Sequence, residues 1–175
     1  MQNFLYKKET FIYEKKNSIT TELCKDIIEL FEKENVNNNY YYNIDCKPSF
    51  HKIKNHLTQQ LTKNLTEYER NINKIKNYTI LHFINKNFLF YIEKNKPKNI
   101  FNYTNRNTIG FTNIKMLMYI WFLNDYDGEI SFWNEYKIIP KAGKFLLFPL
   151  SWCFPYQELI NLQHDKYIIY GYIYA

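Results

Sequence analysis

Glycine, proline, cysteine and histidine are scarce in this chain. Its 175 residues include four Gly, five Pro, three Cys and four His. The cysteines, Cys24, Cys46 and Cys153, form no C-x-x-C pair, and their odd number predicts reduced, buried thiols. The sequence also lacks the G-x-x-x-x-G-K-S/T, G-x-G-x-x-G, G-x-S-x-G and H-E-x-x-H motifs. Nothing therefore points to P-loop, dinucleotide-binding, serine-hydrolase or zinc-protease chemistry.

Long apolar runs are also absent. No stretch approaches the length of a bilayer span, and the first residues lack the charged, apolar and small segments of a secretion signal. These absences predict a soluble, cytosolic protein that neither crosses a membrane nor is secreted by its own signal. With 46% hydrophobic residues, the chain is long enough to form one domain with a substantial core.

Positive charge is concentrated in the N-terminal part. Residues 1–100 hold 17 Lys or Arg against 11 Asp or Glu, whereas residues 101–175 hold six of each. A basic excess can attract anionic partners, nucleic acid included. The lysines here are interspersed with acids, which favours an ordinary solvated surface. A nucleic-acid-binding module stays open as an alternative, and steep salt dependence of binding would identify it.

Two amphipathic helices are predicted in the N-terminal part. Residues 11–13 are typical of a first strand, and Thr20 is a suitable N-cap for a helix that reaches about Lys33. Residues 49–72 predict a longer helix because apolar side chains recur at steps of three and four. Both helices are expected to cover one sheet with their apolar faces. The residues expected at this contact are Ile27, Phe31, Leu57 and Leu61.

The pattern is weaker between and after the helices. Residues 34–48 are rich in Asn, and their apolar residues follow neither the helical nor the strand period, which predicts a loop. The three tyrosines at 40–42 would contact the rim of the domain or contribute to a binding site. Residues 78–83 and 88–92 predict strands. In the turn that follows, the lysines at 94–98 alternate, so an extended backbone would point them to one side, where they would be solvated or contact phosphate.

Residues 115–174 predict a compact all-β core. Four apolar runs there are typical of short strands, and Asn, Asp, Gly and Pro stand between them. Gly128 and Gly143 are expected at turns where a side chain would be unfavourable.

Short motifs follow one another in this region in a fixed order. They are residues 122–125 (FLND), Gly128, residues 139–144 (IPKAGK), residues 148–149 (FP), Trp152 and residues 166–172 (KYIIYGY). The ordered set resembles the C-terminal half of prolyl-hydroxylase-like 2-oxoglutarate/iron(II) oxygenases, particularly the small viral type, and the first strand and helix are similar to that family's N-terminal element. The resemblance implies an α+β fold, a double-stranded β-helix (jelly roll) with two or more supporting N-terminal helices. Residues 1–175 would form a single domain, with the first strand and helices in 1–75 and the β core in 76–175.

The resemblance also implies an iron site, made by a His-x-Asp/Glu pair and one distant His, which this sequence does not supply. Counting back from the Leu-Asn-Asp motif places the pair at Thr104 and Arg106, or at Asn105 and Asn107 if the loop slips by one residue. Residues 95–123 contain no His, Asp or Glu, so another alignment of the loop does not restore the pair.

Tyr156 stands where the resemblance implies the distant His. Iron selects imidazole and carboxylate, whereas Asn, Thr and Tyr are weak neutral ligands at pH 7. The sequence therefore predicts no catalytic residue, no metal ligand and no resident cofactor, although the family uses iron(II) and 2-oxoglutarate.

Lys166 stands at the start of the last long strand, where the resemblance implies a basic anchor for 2-oxoglutarate. Strand alternation places Lys166, Ile168, Tyr170 and Tyr172 on one face. If that face lines the barrel, Lys166 needs an anion or a carboxylate, because an unpaired buried charge is costly. Tyr156 and Tyr170 would then fill the mouth. Lys166 would be a vestigial anchor, and its replacement by Met is expected to change stability only modestly.

These features predict a catalytically inactive oxygenase-like domain with a structural or binding role, for example in a virus particle or as a viral accessory protein. Protein partners or self-assembly are expected, because the 19% aromatic content suits contact surfaces as well as a β core. The expected location is the cytoplasm or a virus particle. An active hydroxylase whose metal site is rebuilt from residues such as His82 or His164 stays open as an alternative.

Overall fold

The computed structural model describes residues 11–34, 41–76, 88–95, 100–102, 115–160 and 165–174. Within these ranges the chain forms two α-helices and ten β-strands. The helices are α1 (Thr21–Glu34) and α2 (His51–Lys76). The strands are β1 (Tyr13–Lys15), β2 (Tyr41–Asn43), β3 (Tyr91–Asn95), β4 (Ile100–Asn102), β5 (Lys115–Phe122), β6 (Gly128–Phe132), β7 (Tyr136–Ile138), β8 (Phe145–Pro149), β9 (Tyr156–Ile160) and β10 (Lys166–Tyr174).

The strands form two antiparallel sheets. One has six strands in the order β1-β8-β5-β10-β3-β2, and the other has four in the order β4-β9-β6-β7. Buried apolar side chains form two clusters. The first lies between the helices and the six-stranded sheet, and the second lies between the two sheets.

Strand β5 is buried on both faces, which explains its uninterrupted apolar sequence. Leu117, Tyr119 and Trp121 belong to the cluster under the helices, whereas Met118 and Ile120 belong to the cluster between the sheets. A strand covered on both faces has no reason to alternate apolar with polar residues. The helices cover one face of β5, and the four-stranded sheet covers the other face.

Both predicted helices are present. Thr20 caps α1, because its Oγ1 accepts a hydrogen bond from the Leu23 amide at 3.2 Å. A short 3-10 turn at Pro48–Phe50 precedes helix α2. Residues 49 and 50, which the sequence pattern assigns to the helix, belong to this turn. The expected contact with the sheet is confirmed by the burial of Ile27, Phe31, Leu57 and Leu61 in the first cluster. Among the described residues, no helix combines the length and the apolarity needed to span a bilayer.

Several predicted strands need correction. Residues 115–174 hold six strands rather than four, because β7 has only three residues and β9 carries polar residues within it. The loop predicted at 34–48 contains β2, whose Tyr42 stacks on Phe31 at 5.0 Å and so serves the core. Strands β1 and β3 begin at Tyr13 and Tyr91, later than the patterns indicate. The strand predicted at 78–83 lies outside the described residues.

The two glycines expected at turns differ in the structure. Gly143 has φ +79°, and a Cβ added there would lie 2.3 Å from the Ile19 carbonyl oxygen, so the turn requires glycine. Gly128 instead begins β6 and pairs with Ile160. The prediction is therefore confirmed at Gly143 and wrong at Gly128.

Only one of the three thiols is buried. Cys24 lies under the sheet in α1, whereas Cys46 and Cys153 are exposed, which corrects the prediction of three buried thiols. Both exposed cysteines stand in connections, Cys46 after β2 and Cys153 between β8 and β9. Burial raises the pKa of the Cys24 thiol to about 11, so this thiol stays protonated and unreactive at neutral pH.

We expect a thiol-reactive chromogenic reagent to modify Cys46 and Cys153 quickly in the folded protein and Cys24 only after denaturation. The physical reason is that the thiolate is the reactive form, and Cys24 lacks both the charge state and the access. Absorbance counts the modified thiols with and without urea, and Cys24→Ala is the matched control. Equally fast labelling of all three thiols without denaturant would contradict the burial of Cys24.

Strand β1 joins residues that are far apart in sequence. It pairs with β8 in the register Tyr13↔Leu147. The same edge is supported by an ion pair of 3.2 Å between Lys144 Nζ and Glu14 Oε2, two residues 130 positions apart. Strand β1 thus pairs with a strand that follows about 130 positions later.

Candidate functional site

Lys166, the first residue of β10, lies fully buried between the two sheets. Further along the strand, Ile168, Tyr170 and Tyr172 belong to the same inter-sheet cluster, whereas Ile169 belongs to the cluster under the helices. The alternation predicted from sequence is thus present. This alternation directs the Lys166 ammonium toward the interior of the protein, where a charge needs a partner.

Glu158 of β9 supplies that partner. Its Oε1 lies 2.5 Å from Lys166 Nζ, and only 8% of the Glu158 surface is exposed. Within the described residues, Nζ has no partner that also satisfies hydrogen-bond geometry, so the contact with Glu158 is best described as a close ion pair. The lysine charge is therefore compensated by a carboxylate of the same chain.

Tyr126, in the connection between β5 and β6, completes this buried triad. Its phenol donates a hydrogen bond of 2.9 Å to Glu158 Oε1, and Lys166 Nζ lies 5.7 Å from the centre of its ring. Burial, and then the negative charge of Glu158, raises the pKa of the Tyr126 phenol well above its ordinary value. The phenol consequently stays a protonated donor across the physiological range.

Asn124 fixes the backbone on both sides of Lys166. Its side-chain amide donates to the Asp165 carbonyl at 2.7 Å, and its Oδ1 accepts from the Tyr167 amide at 2.8 Å. The neighbouring Asp125 accepts from the Ala142 amide at 2.8 Å. The Leu-Asn-Asp motif thus has a structural role here: Asn124 holds the start of β10, and Asp125 holds the connection before β8.

Tyr156, at the position implied for the distant His, packs among apolar side chains. Its ring lies 5.0 Å from the Phe148 ring and 5.9 Å from the Phe132 ring. Its hydroxyl donates to Met118 Sδ at 3.7 Å, a weak acceptor. These neighbours do not suit an iron ion, which selects imidazole and carboxylate.

The other positions that the resemblance implies for the metal, Thr104 and Arg106 or Asn105 and Asn107, lie outside the described residues. So do His82 and His164, the candidates for a rebuilt metal site. In the part of the chain that the structure describes, no three His, Cys, Asp or Glu residues are grouped as a metal site. Of the alternating lysines, Lys94 is described, and it forms ion pairs with Glu32 and Asp165 at 2.9 and 3.2 Å.

A separate surface cavity of about 400 Å³ lies beside the start of α1. Lysines line it, but Lys141 is paired with Asp125 at 2.8 Å and Lys144 with Glu14 at 3.2 Å. The start of α1 is already capped by Thr20. Two of the three lysines that line the cavity thus have carboxylate partners within the chain, which leaves little free positive charge for an anion.

Glu158 and Tyr126 are site residues that the sequence-based reasoning missed. Glu158 could have been found, since it follows Tyr156 by two positions and shares its face once residues 156–160 form a strand. Tyr126 could not, because it stands in a connection without periodicity. The buried charge on Lys166 was the available signal that a carboxylate should be sought.

Comparisons with known proteins identify the architecture. No protein-family model matches the chain, and no curated protein does. Among solved structures, the chain is similar to the viral collagen prolyl hydroxylase of Paramecium Bursaria Chlorella virus-1, with 15% identity over 100% of this chain and 98% of that chain and a TM-score of 0.71.

Two other similar structures come from cellular organisms. A prolyl-4-hydroxylase of Pseudomonas putida has 11% identity, coverage of 93% of this chain and 91% of that chain, and a TM-score of 0.61. A prolyl hydroxylase of Trichoplax adhaerens has 13% identity, coverage of 94% and 83%, and a TM-score of 0.63. At such identities the likeness concerns the fold alone, and it confirms a prolyl-hydroxylase-like arrangement of two helices and antiparallel sheets. The chain has the fold of prolyl-hydroxylase-like 2-oxoglutarate/iron(II) oxygenases.

Proposed function

We propose that this chain is a non-catalytic member of the oxygenase fold, with a structural or binding role and without turnover dependent on iron or 2-oxoglutarate. The observation that carries the proposal is the ion pair between Lys166 and Glu158, both buried, at 2.5 Å. A dicarboxylate co-substrate does not fit beside a lysine whose charge is already compensated by the chain itself. Lys166 keeps the position of the family's anchor, but the Glu158 carboxylate takes the place beside it where a co-substrate would bind.

The residues at the implied iron positions support the same conclusion. Tyr156 is held by Phe148 and Met118, and residues 95–123 offer no His, Asp or Glu. A phenol directed at a thioether has weak affinity for a divalent ion. In this proposal the two sheets make up a jelly-roll barrel that serves as a scaffold, and residues 1–175 act as one domain.

The role that we propose is contact with other proteins or with further copies of this chain, in the cytoplasm or in a virus particle. Trp152, in the connection after β8, is 88% exposed and suits such a contact, since Trp is enriched among residues that dominate binding energy. The lysines of the N-terminal part favour nucleic acid less, because Lys15, Lys47 and Lys54 lie beside carboxylates. No described feature calls for a membrane.

The test is metal analysis and co-substrate binding. We expect protein produced in iron-supplemented cells to retain no stoichiometric iron after desalting, and calorimetry with iron(II) under anaerobic conditions to detect no saturable 2-oxoglutarate binding. The viral collagen prolyl hydroxylase named above is the positive control. Near-stoichiometric iron together with saturable 2-oxoglutarate binding would overturn the proposal and favour an active hydroxylase with a rebuilt site.

A further inference from the structure

We propose that Glu158 is a built-in ligand, which occupies a preformed carboxylate-binding position made by Lys166 and Tyr126, and that this position binds a free small monocarboxylate once the Glu158 side chain is shortened. The inference rests on the proposed function, and it adds which atoms fill the interior and what chemical class of ligand can replace them. Two donor groups from different parts of the chain meet one oxygen of Glu158: the Lys166 ammonium, in an ion pair of 2.5 Å, and the Tyr126 hydroxyl, in a hydrogen bond of 2.9 Å.

The two donors are held independently of Glu158. Asn124 bonds the backbone on both sides of Lys166, at 2.7 and 2.8 Å. The Tyr126 ring packs against Phe122 at 6.2 Å. Glu158 itself arrives from the other sheet, on β9. Removal of its carboxylate therefore leaves the donors in place and without their acceptor.

The vacated position would favour an anion strongly. Lys166 is fully buried, and within the described residues its Nζ makes no hydrogen bond beside its ion pair with Glu158. A buried cation without a counter-charge is costly, so a small anion that enters gains the whole of the interaction that Glu158 provides. Alanine retains Cβ, and the atoms removed by Glu158→Ala, one methylene and one carboxylate, have the size of acetate. Acetate is the complementary ligand for this reason.

Two matched variants separate charge from space. Glu158→Gln removes the negative charge but still fills the position, so acetate has no room to enter. Glu158→Ala/Lys166→Met opens the position but removes the cation. Acetate should stabilise neither of these proteins, and it should not stabilise the wild type, whose own carboxylate competes at an effective concentration that free acetate does not reach.

The experiment is thermal unfolding of the four proteins with sodium acetate titrated through the millimolar range, with sodium chloride at matched ionic strength. We expect Glu158→Ala to unfold at a lower temperature than wild type. We expect acetate to raise its Tm saturably, by about 4 °C at roughly tenfold excess over the dissociation constant, and chloride to have a much smaller effect. Longer or branched carboxylates should be less effective than acetate. An equal response of Glu158→Ala to acetate and chloride, or an equal acetate response of Glu158→Ala/Lys166→Met, would overturn the inference.

If Glu158→Ala does not fold without ligand, refolding yield from urea replaces Tm as the measurement. Acetate should then raise the yield above that in chloride, and equal yields would overturn the inference. Failure here is distinct from failure of the proposed function, because iron and 2-oxoglutarate binding are measured on the wild type. If the wild type binds neither iron nor 2-oxoglutarate, and acetate does not rescue Glu158→Ala, only the inference about the built-in ligand is disproved. Rescue of Glu158→Ala by acetate, together with iron and 2-oxoglutarate binding by the wild type, would disprove the non-catalytic role alone.

Discussion

Replacing Lys166 with Met is expected to lower the free energy of unfolding by about 3–5 kcal/mol at neutral pH, the cost typical of breaking one side of a buried ion pair. The variant would leave the Glu158 carboxylate, only 8% exposed, with the Tyr126 hydroxyl as its remaining partner in the triad. The sequence alone favours a modest effect for this change. The position of Glu158 beside Lys166 predicts a large effect instead. Urea unfolding followed by fluorescence measures the loss in free energy of unfolding.

The control for the loss of a cation is Lys137→Met. Lys137 is 56% exposed and paired with Glu129 at 2.8 Å. Exposed pairs contribute about 0–1 kcal/mol, so this variant should remain close to wild type. The double variant Glu158→Gln/Lys166→Met should recover most of the stability that Lys166→Met loses, since it leaves no unpaired charge and keeps an acceptor for the Tyr126 phenol. Equal stability of Lys166→Met and Lys137→Met would show that Lys166 is not buried against Glu158.

Replacing Gly171 with Ala should lower the free energy of unfolding by about 3 kcal/mol or more, because the added methyl group has no space. A Cβ at this position would lie 2.2 Å from the Tyr119 hydroxyl oxygen and 2.4 Å from the Leu89 carbonyl oxygen. Those two atoms are joined by a hydrogen bond of 2.8 Å, so neither can move away without losing it. Strand β10 lies inside the six-stranded sheet and cannot shift alone.

Two further variants make this result specific. Gly128→Ala, at the start of β6, places the same methyl group where φ is not positive, and it should cost much less. Tyr119→Phe added to Gly171→Ala removes the nearest atom, but the ring carbon Cζ and the Leu89 carbonyl oxygen remain at 2.4 Å, so recovery should be small. Urea midpoints provide the comparison. A Gly171→Ala protein as stable as Gly128→Ala would mean that β10 and β5 do not approach each other as the structure describes.

The helices and the faces of β10 could be predicted from the sequence because each depends on local periodicity. The stripe through Ile27 and Phe31 repeats at helical spacing, and Lys166 shares parity with Ile168, so their burial follows from the chain itself. The Glu158 partner was beyond this reasoning for a physical reason. It lies on a short strand in which the polar residues Gln157 and Glu158 are adjacent, so no alternation marks its face, and it meets Lys166 only where two different sheets face each other.

The same reasoning did not find the demand for glycine at position 171. Nothing in the run KYIIYGYIY marks the glycine as more than a gap in an apolar strand. Its necessity arises from Tyr119, which crosses over it to bond the Leu89 carbonyl. Such a constraint is created by tertiary packing, so it has no sequence period to reveal it.

The pairing of β1 with β8 also bears on the order in which the protein can form during synthesis. Glu14 meets Lys144, 130 positions later in the chain, so the edge of the six-stranded sheet cannot close until β8 has left the ribosome. The helices emerge early, yet their apolar faces rest on β5, β8 and β10. Contacts of such long separation make folding slow, and the uncovered helices are exposed to aggregation in the meantime. The nascent chain, rather than the finished protein, is where this fold is most in need of a chaperone.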